Sequence, residues 1–440
     1  MKKLCYLATL FLLFQCSDPE IREGFSSITV TQEVTAKTFG GSKNDVYQSV
    51  VTTLDGGYAV LGYTQSNDFD ISDKTNESFD FLLMKFSSDH VLLWSKTYGG
   101  SDDDRAADLI ATKDGGFALF GFSKSSDFDV ANNAGAQDFW MIKTTFDGTI
   151  SWQKTFGFSG ADTGNSLIQT ADDCFLITGV LDVTASNGQG NSKTTEKHAG
   201  GDVWVIKLNN NGELVWSRYF GGSFTDTPFG VIETIDNNYI IAASSDSEDF
   251  NISNNKGTYD FWLFKVSSDG DLLWEQSFGG SEIDEPRGIT TTDDGDFVVV
   301  GDTRSADKDV STNNGGADLW MIKITTEGNL LWEKTLGGSS FDAARSISKT
   351  QDGGFVISGN SRSLDQGFIN KGQNDGWVLK VDNNGSLLWQ QFIGGTENEL
   401  LFDAVELANQ DIVAVGESSS SDGDISENKG FSDGLIINIK

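Results

Sequence analysis

A short signature recurs at near-constant spacing along the whole chain. Gly-Gly-Ser-x-x-Asp begins at Gly40, Gly99, Gly221, Gly279 and Gly337, and altered copies begin at Gly157 (Gly157-Phe158-Ser159) and Gly394 (Gly394-Gly395-Thr396). Successive starts therefore lie 57 to 64 residues apart, which gives seven units. A period of this size implies one supersecondary unit repeated, with neighbouring copies burying each other's apolar faces. The second unit is read as four short strands. Residues 107–112 alternate around Leu109, 116–123 carry Phe117, Leu119 and Phe120, 139–144 carry Trp140 and Ile142, and 149–156 carry Ile150 and Trp152. Lys113-Asp114-Gly115 and Asp147-Gly148 separate strands, and Asp-Gly supplies the positive φ that tight hairpin turns demand. No segment sustains helical spacing with caps.

Four antiparallel strands repeated seven times predict an all-β chain folded as a seven-bladed β-propeller. The last unit stops at residues 435–440, after its third strand, while residues 28–39 occupy fourth-strand register ahead of Gly40. The N-terminal strand is expected to close the last blade, removing exposed edges. Residues 28–440 then form one domain. The 11 tryptophans obey the same grid. Trp94, Trp152, Trp216, Trp274, Trp332 and Trp389 share one fourth-strand position; Trp140, Trp204, Trp262, Trp320 and Trp377 share one third-strand position. Aromatic residues confined to a grid read as packing between blades, not as a platform for sugar stacking.

Charge excludes several functions. With 31 Lys+Arg against 65 Asp+Glu, the formal charge is −34, which repels phosphate backbones and excludes nucleic acid as a partner. Two histidines cannot build a three-His zinc site, and three cysteines cannot build a disulfide framework. His90 replaces a turn glycine and reads as surface variation.

Lys2 and Lys3 precede an apolar run over residues 4–14, too short to span a bilayer, which ends at Cys16. This segment resembles a bacterial lipoprotein signal. The resemblance implies a signal over residues 1–15, lipidation at Cys16 and a short tether over 16–27. The Ser17-Asp18-Pro19-Glu20 stretch resembles one that directs lipoproteins to the outer-membrane surface. The lipid would be the only membrane contact of an acidic monomer. The alternative is a secreted chain in which Cys16 is incidental. Units built from Gly-Gly-Ser-x-x-Asp, Asp-Gly-Gly-Phe, Asp-x-Trp and Asp-Gly-x-Leu-x-Trp also resemble the repeats of uncharacterised bacterial envelope lipoproteins, some carrying an endoglucanase label. Asp269 to Trp274 is similar to the tryptophan-docking motif of quinoprotein-type propellers, a packing element.

Two loop families gather the acidic residues onto one face, because fourth-to-first and second-to-third connections share a side of a propeller. The first family ends at Asp45, Asp104, Asp162, Asp226, Asp284, Asp342 and Glu399, near the innermost strands. These form an acidic ring that either attracts cations or ties its own turns. The second has the form Asp-x-[Asp/Asn]-x-x-x-Asn-x-Gly-x-x-Asp. It runs through Asp127, Asp129, Asn133 and Asp138; Asp249, Asn251, Asn255 and Asp260; Asp307, Asp309, Asn313 and Asp318; and Asp422, Asp424, Asn428 and Asp433. These are hard oxygen donors of the kind Ca²⁺ prefers, or an Asx-turn network. The third unit breaks the pattern with an insertion carrying Asn187, Gln189, Asn191, Lys193 and His198, which is either the place of a specific contact or a tolerated, mobile insertion.

Together these features predict a lipid-anchored, non-enzymatic module that binds an envelope protein or glycan, with Ca²⁺ as a candidate cofactor. The competing expectation is a glycan hydrolase using two carboxylates on the loop-rich face, for which no pair stands out among the 65 acids.

Overall fold

The computed structural model describes residues 32–193 and 198–440. Residues 1–31, which include Cys16 and the lipoprotein-like segment, lie outside them. The described residues form seven four-stranded antiparallel sheets, and each sheet is one blade. The first blade runs outward from Asp45–Thr52 through Tyr58–Thr64 and Asp80–Phe86 to Leu92–Tyr98. The next five repeat this order. In the seventh, Glu399–Glu406, Ile412–Ser418 and Asp433–Ile439 are completed by Val34–Phe39. Val34 pairs with Ile439 and Phe39 with Gly434, so the first and last strands described close the ring. Among the described residues there is, besides the strands, one helical turn, Val183–Ser186.

Burial follows strand order. Third strands are sealed on both faces, as in Asp138–Thr144 and Asp318–Ile324, whereas outer strands alternate toward solvent. The apolar core is accordingly a series of clusters, each drawing on neighbouring blades. Phe81 and Leu83, for example, pack with Leu119 and Trp140. Third-strand tryptophans are fully buried or nearly so, and donate their indole N–H within their own blade: Trp140 to Gln153 at 3.0 Å, Trp320 to Glu333 at 3.0 Å. Fourth-strand tryptophans reach the next blade. Trp216 Nε1 donates to the Ser268 carbonyl at 2.9 Å and Trp274 Nε1 to the Thr326 carbonyl at 3.1 Å. Above Trp216 the turn must be Gly270, where a Cβ would lie 3.0 Å from the indole. Both tryptophan positions hold blades together.

Backbone bonds run around the ring as well. The N–H of each innermost strand's first acid donates to the previous blade's carbonyl just ahead of its third strand. These bonds span 2.7–2.9 Å, from Asp104 to Phe79 round to Glu399 to Asn374, and Asp45 to Ser432 completes the circle.

Candidate functional site

On the loop-rich face, the two acidic families meet across a glycine. Asp284 accepts the Gly280 N–H at 2.6 Å and the Ser305 hydroxyl at 2.9 Å, and Thr303 donates to its other oxygen. Asp45, Asp104 and Asp342 have the same partners from Gly41, Gly100 and Gly338 with Ser66, Ser125 and Ser363. Glu399 accepts from Gly395 and Ser418, Asp226 from Gly222, and Asp162 from Phe158. All seven acids are fully buried, so the ring anticipated near the channel is enclosed by its own turns.

The second family braces the same turns. Asp127 accepts the Ser101 N–H at 2.8 Å and Asp129 the Gly99 N–H at 3.3 Å. Asp249 and Asn251 do so for Ser223 and Gly221, Asp307 and Asp309 for Ser281 and Gly279, Asp422 and Asp424 for Thr396 and Gly394. Asn133, Asn255, Asn313 and Asn428 each accept an N–H two residues on, from Gly135, Gly257, Gly315 and Gly430. The distal Asp138, Asp260, Asp318 and Asp433 each accept the backbone N–H four residues before them. Each motif therefore forms an Asx-turn network. Among the described residues, no group of three or more His, Cys, Asp or Glu is placed to hold a metal ion.

The distal acid of one blade then faces the first acid of the next. A Cβ on Gly279 would sit 2.2 Å from Asp260 Oδ1 and 2.7 Å from Asp284 Oδ2; on Gly40 it would sit 2.5 Å from Asp45 Oδ2 and 2.9 Å from Asp433 Oδ1. Only glycine fits between these carboxylates. At Asp138, Asp202, Asp260, Asp318, Asp375 and Asp433 the buried Oδ1 has no hydrogen-bond partner. Burial, with the facing acid adding to it, pushes Asp260, Asp318 and Asp433 up to about 6 and Asp226 up to about 7.

The opposite face treats aspartate differently. Third-strand lysines, buried along their stems, reach the first turn of their blade: Lys143 to Asp114 at 3.0 Å, Lys207 to Asp172 at 2.8 Å, Lys265 to Asp236 at 2.9 Å, Lys323 to Asp294 at 2.7 Å. At Asp172 and Asp236 the lysine and threonine hydrogen bonds outweigh burial and hold the carboxyl down at about 2; at Asp294 the Lys323 bond leads, with the same result. Sequence reasoning passed over these pairs. Their signal is a lysine five residues after the third-strand aspartate in six units (Lys85, Lys143, Lys207, Lys265, Lys323, Lys380).

The third-blade insertion folds back on its own ring. His198 Nδ1 lies 2.5 Å from Asp202 Oδ2, filling with a side chain the place that a backbone N–H takes in the sister blades, and its ring packs on Phe250 at 4.4 Å. Asn187 closes the helical turn in left-handed conformation, Gln189 donates to the Ser186 carbonyl, and Asn191 accepts the Lys193 N–H. Lys193 pairs with Asp271 at 2.8 Å. His90, expected on the surface, is mostly buried against Tyr58, with Nε2 3.5 Å from Asp411.

What the seven blades do not share is the residue that lines the central channel. Every innermost strand carries a β-bulge, and the extra residues are Gln48, Ala107, Asn165, Phe229, Arg287, Arg345 and Phe402. A bulge re-aims a side chain, and all seven join Ser49, Asp108 and Asp403 around a channel of about 390 Å³. Asp108 and Asp403 are used internally: they accept the Leu167 and Val50 N–H groups, at 2.8 and 2.9 Å. Arg287 pairs with Glu285 at 2.7 Å and lies over Phe229 at 4.7 Å. A second cavity of about 460 Å³ opens between the sixth and seventh blades and shares Arg345 with the channel.

No protein-family model matches the chain. It is 22% identical over 377 residues to Regulatory protein FlaEY of Caulobacter vibrioides, covering 79% of this chain and 39% of that protein. The chain thus spans about two fifths of that relative's length. Similar solved structures include the Neurospora crassa Pan2 WD40 domain, with TM-score 0.48 and 7% identity over 89% of this chain and 88% of that one. BBS1N in complex with ARL6DN gives 0.47 and 10% over 92% and 93%. A protein of unknown function from Dyadobacter fermentans gives 0.45 and 10% over 92% and 99%.

Proposed function

We propose that this chain is a lipid-anchored, non-enzymatic binding module of the bacterial cell envelope, presenting its loop-rich face to a protein or glycan. One observation carries the proposal. The junction and loop carboxylates of that face are engaged in backbone hydrogen bonds, while aromatic side chains of the same loops remain offered to solvent, Phe128 at 86% and Phe431 at 74% exposure among them. Exposed aromatic residues on a rigid scaffold are characteristic of recognition surfaces. A hydrolase would need a solvent-open carboxylate pair. The seven junction pairs are sealed. A regulatory role for the named relative is in keeping with binding, though that protein is much longer.

The test uses the full chain in three arms. Incorporation of labelled palmitate should be lost in Cys16→Ser. Envelope polysaccharides and extracts should show capture that Phe128→Ser with Phe431→Ser reduces. No reducing sugar should be released. Sugar release that survives purification would replace this proposal with the hydrolase.

A further inference from the structure

Arg345 stands in an unusual position. Its guanidinium lines both the channel and the cavity between the sixth and seventh blades. Nε is buried without a partner, and among the described residues no acceptor is hydrogen-bonded or ion-paired to the side chain. Burial and the neighbouring Arg287 both disfavour its charge, and Asp302 and Glu285 offset that only from a distance, since Arg287 takes the Glu285 carboxylate. A guanidinium cannot shed its proton, so one that is partly buried, with Nε sealed from solvent and no protein acceptor bonded to it, is poised to take an anionic acceptor.

The same cavity also holds an acceptor without a donor. Arg362 Nε donates to Asn374 Oδ1 at 2.7 Å, which fixes that atom as the oxygen, because arginine only donates. Asn360 must therefore offer its Nδ2 to the same oxygen, at 3.3 Å. That leaves Asn360 Oδ1, on a side chain only 2% exposed, as a buried acceptor with no partner. Glu417 lies beside it on the lining, held by the Ser432 hydroxyl at 2.8 Å. At about 460 Å³ the cavity falls within the range of small-molecule sites, roughly 300–1,000 Å³.

We propose that this cavity binds a small carboxylic acid that carries a hydroxyl or ammonium group close to its carboxylate. Arg345 takes the carboxylate through paired N–H···O bonds, the geometry for which a guanidinium is shaped. Asn360 Oδ1 and Glu417 accept from the hydroxyl or ammonium. A neutral sugar would satisfy only the acceptors, and a bare anion only the arginine. Within a chain of net charge −34, Arg345 and Arg362 bring two guanidinium groups to a cavity lined by one carboxylate, Glu417, so an acid meets local positive charge there. The proposal rests on the chain being a binding module but not on its envelope address.

Calorimetric titration of the full chain tests it, with glucuronate as the hydroxyl-bearing acid, L-serine as the ammonium-bearing one, and glucose and acetate as controls. One of the two acids should bind at least about tenfold more tightly than either control. Arg345→Gln should weaken that acid by about tenfold or more, and Arg287→Gln, whose side chain already has Glu285, by less than about threefold. Asn360→Asp keeps the shape and should also weaken the acid, by setting a carboxylate in the cavity; it serves if Arg345→Gln does not fold. Equal binding of acids and controls overturns the proposal, as does full acid affinity in both variants. Acid binding without capture of envelope material keeps this site and removes the broader function; capture without acid binding does the reverse.

Discussion

The two faces of the ring use the same residue in opposite electrostatic states. On the tight-turn face, aspartates such as Asp236 and Asp294 meet a lysine ammonium and are held down at about 2. At the junctions on the loop-rich face, aspartates such as Asp226 and Asp260 meet burial and another carboxylate, and rise to about 7 and about 6. What distinguishes them is the partner, not the fold. A turn aspartate remains partly in water while a buried lysine needs neutralising. A junction aspartate is buried to bind backbone N–H groups, and a neighbouring lysine, as Lys256 at Asp260, offsets that burial only in part.

The strongest way to break this contrast is steric. Gly279→Ala drives a methyl between Asp260 and Asp284, and should cost about 3 kcal/mol in denaturant unfolding. Gly295, in a tight turn at φ +88° with nothing within 4 Å, should lose only about 1 kcal/mol as Ala, from backbone strain alone. The next test is pH. Junction carboxyls whose folded pKa is raised bind more protons in the folded state, so their contribution is present near pH 4 and is lost as pH climbs through about 6 to 7. The turn aspartates work in the other direction, stabilising above pH 4 and losing that contribution toward pH 2. The melting midpoint should therefore fall by about 5 °C between pH 5 and pH 8, and persist in high salt, which would screen surface repulsion. Asp260→Asn, which lets an amide donate to Asp284, should recover about 1 kcal/mol at pH 8 and nothing at pH 5. Lys323→Met should cost about 1 kcal/mol at pH 7 and less at pH 2, where Asp294 is only half ionised. The smallest effect concerns Ca²⁺. Because the Asp127, Asp249, Asp307 and Asp422 loops spend their oxygens on backbone N–H groups, calcium or chelator should move the midpoint by less than about 1 °C.

The fold was legible because its determinants are local and repeated. Asp-Gly turns, a tryptophan on six of the seven outer strands and the spacing of Gly-Gly each point to the same hairpin from unit to unit, and the closing strand follows from register. The site was less legible for a matching reason. That Asp260 faces Asp284 depends on two segments from different blades meeting at Gly279, a proximity that chain spacing does not encode. The bulges at Gln48, Arg345 and their counterparts leave no mark, because the extra residue follows no repeat and ranges from Ala107 to Phe229 and Arg287. The third-blade insertion stood out by its length, yet His198 turns inward to Asp202 while Lys193 pairs on the surface with Asp271 of the next blade.

The closing strand also sets an orientation. Val34–Phe39 enters the sheet opposite Ile439 and leaves opposite Gly434, just before the loop-rich face begins at Gly40. Whatever holds the segment ahead of residue 32 therefore joins the ring at the rim of its tight-turn side. A surface that tethers this chain would meet the lysine–aspartate side first, and the mouth containing Arg345 would point into the surrounding medium.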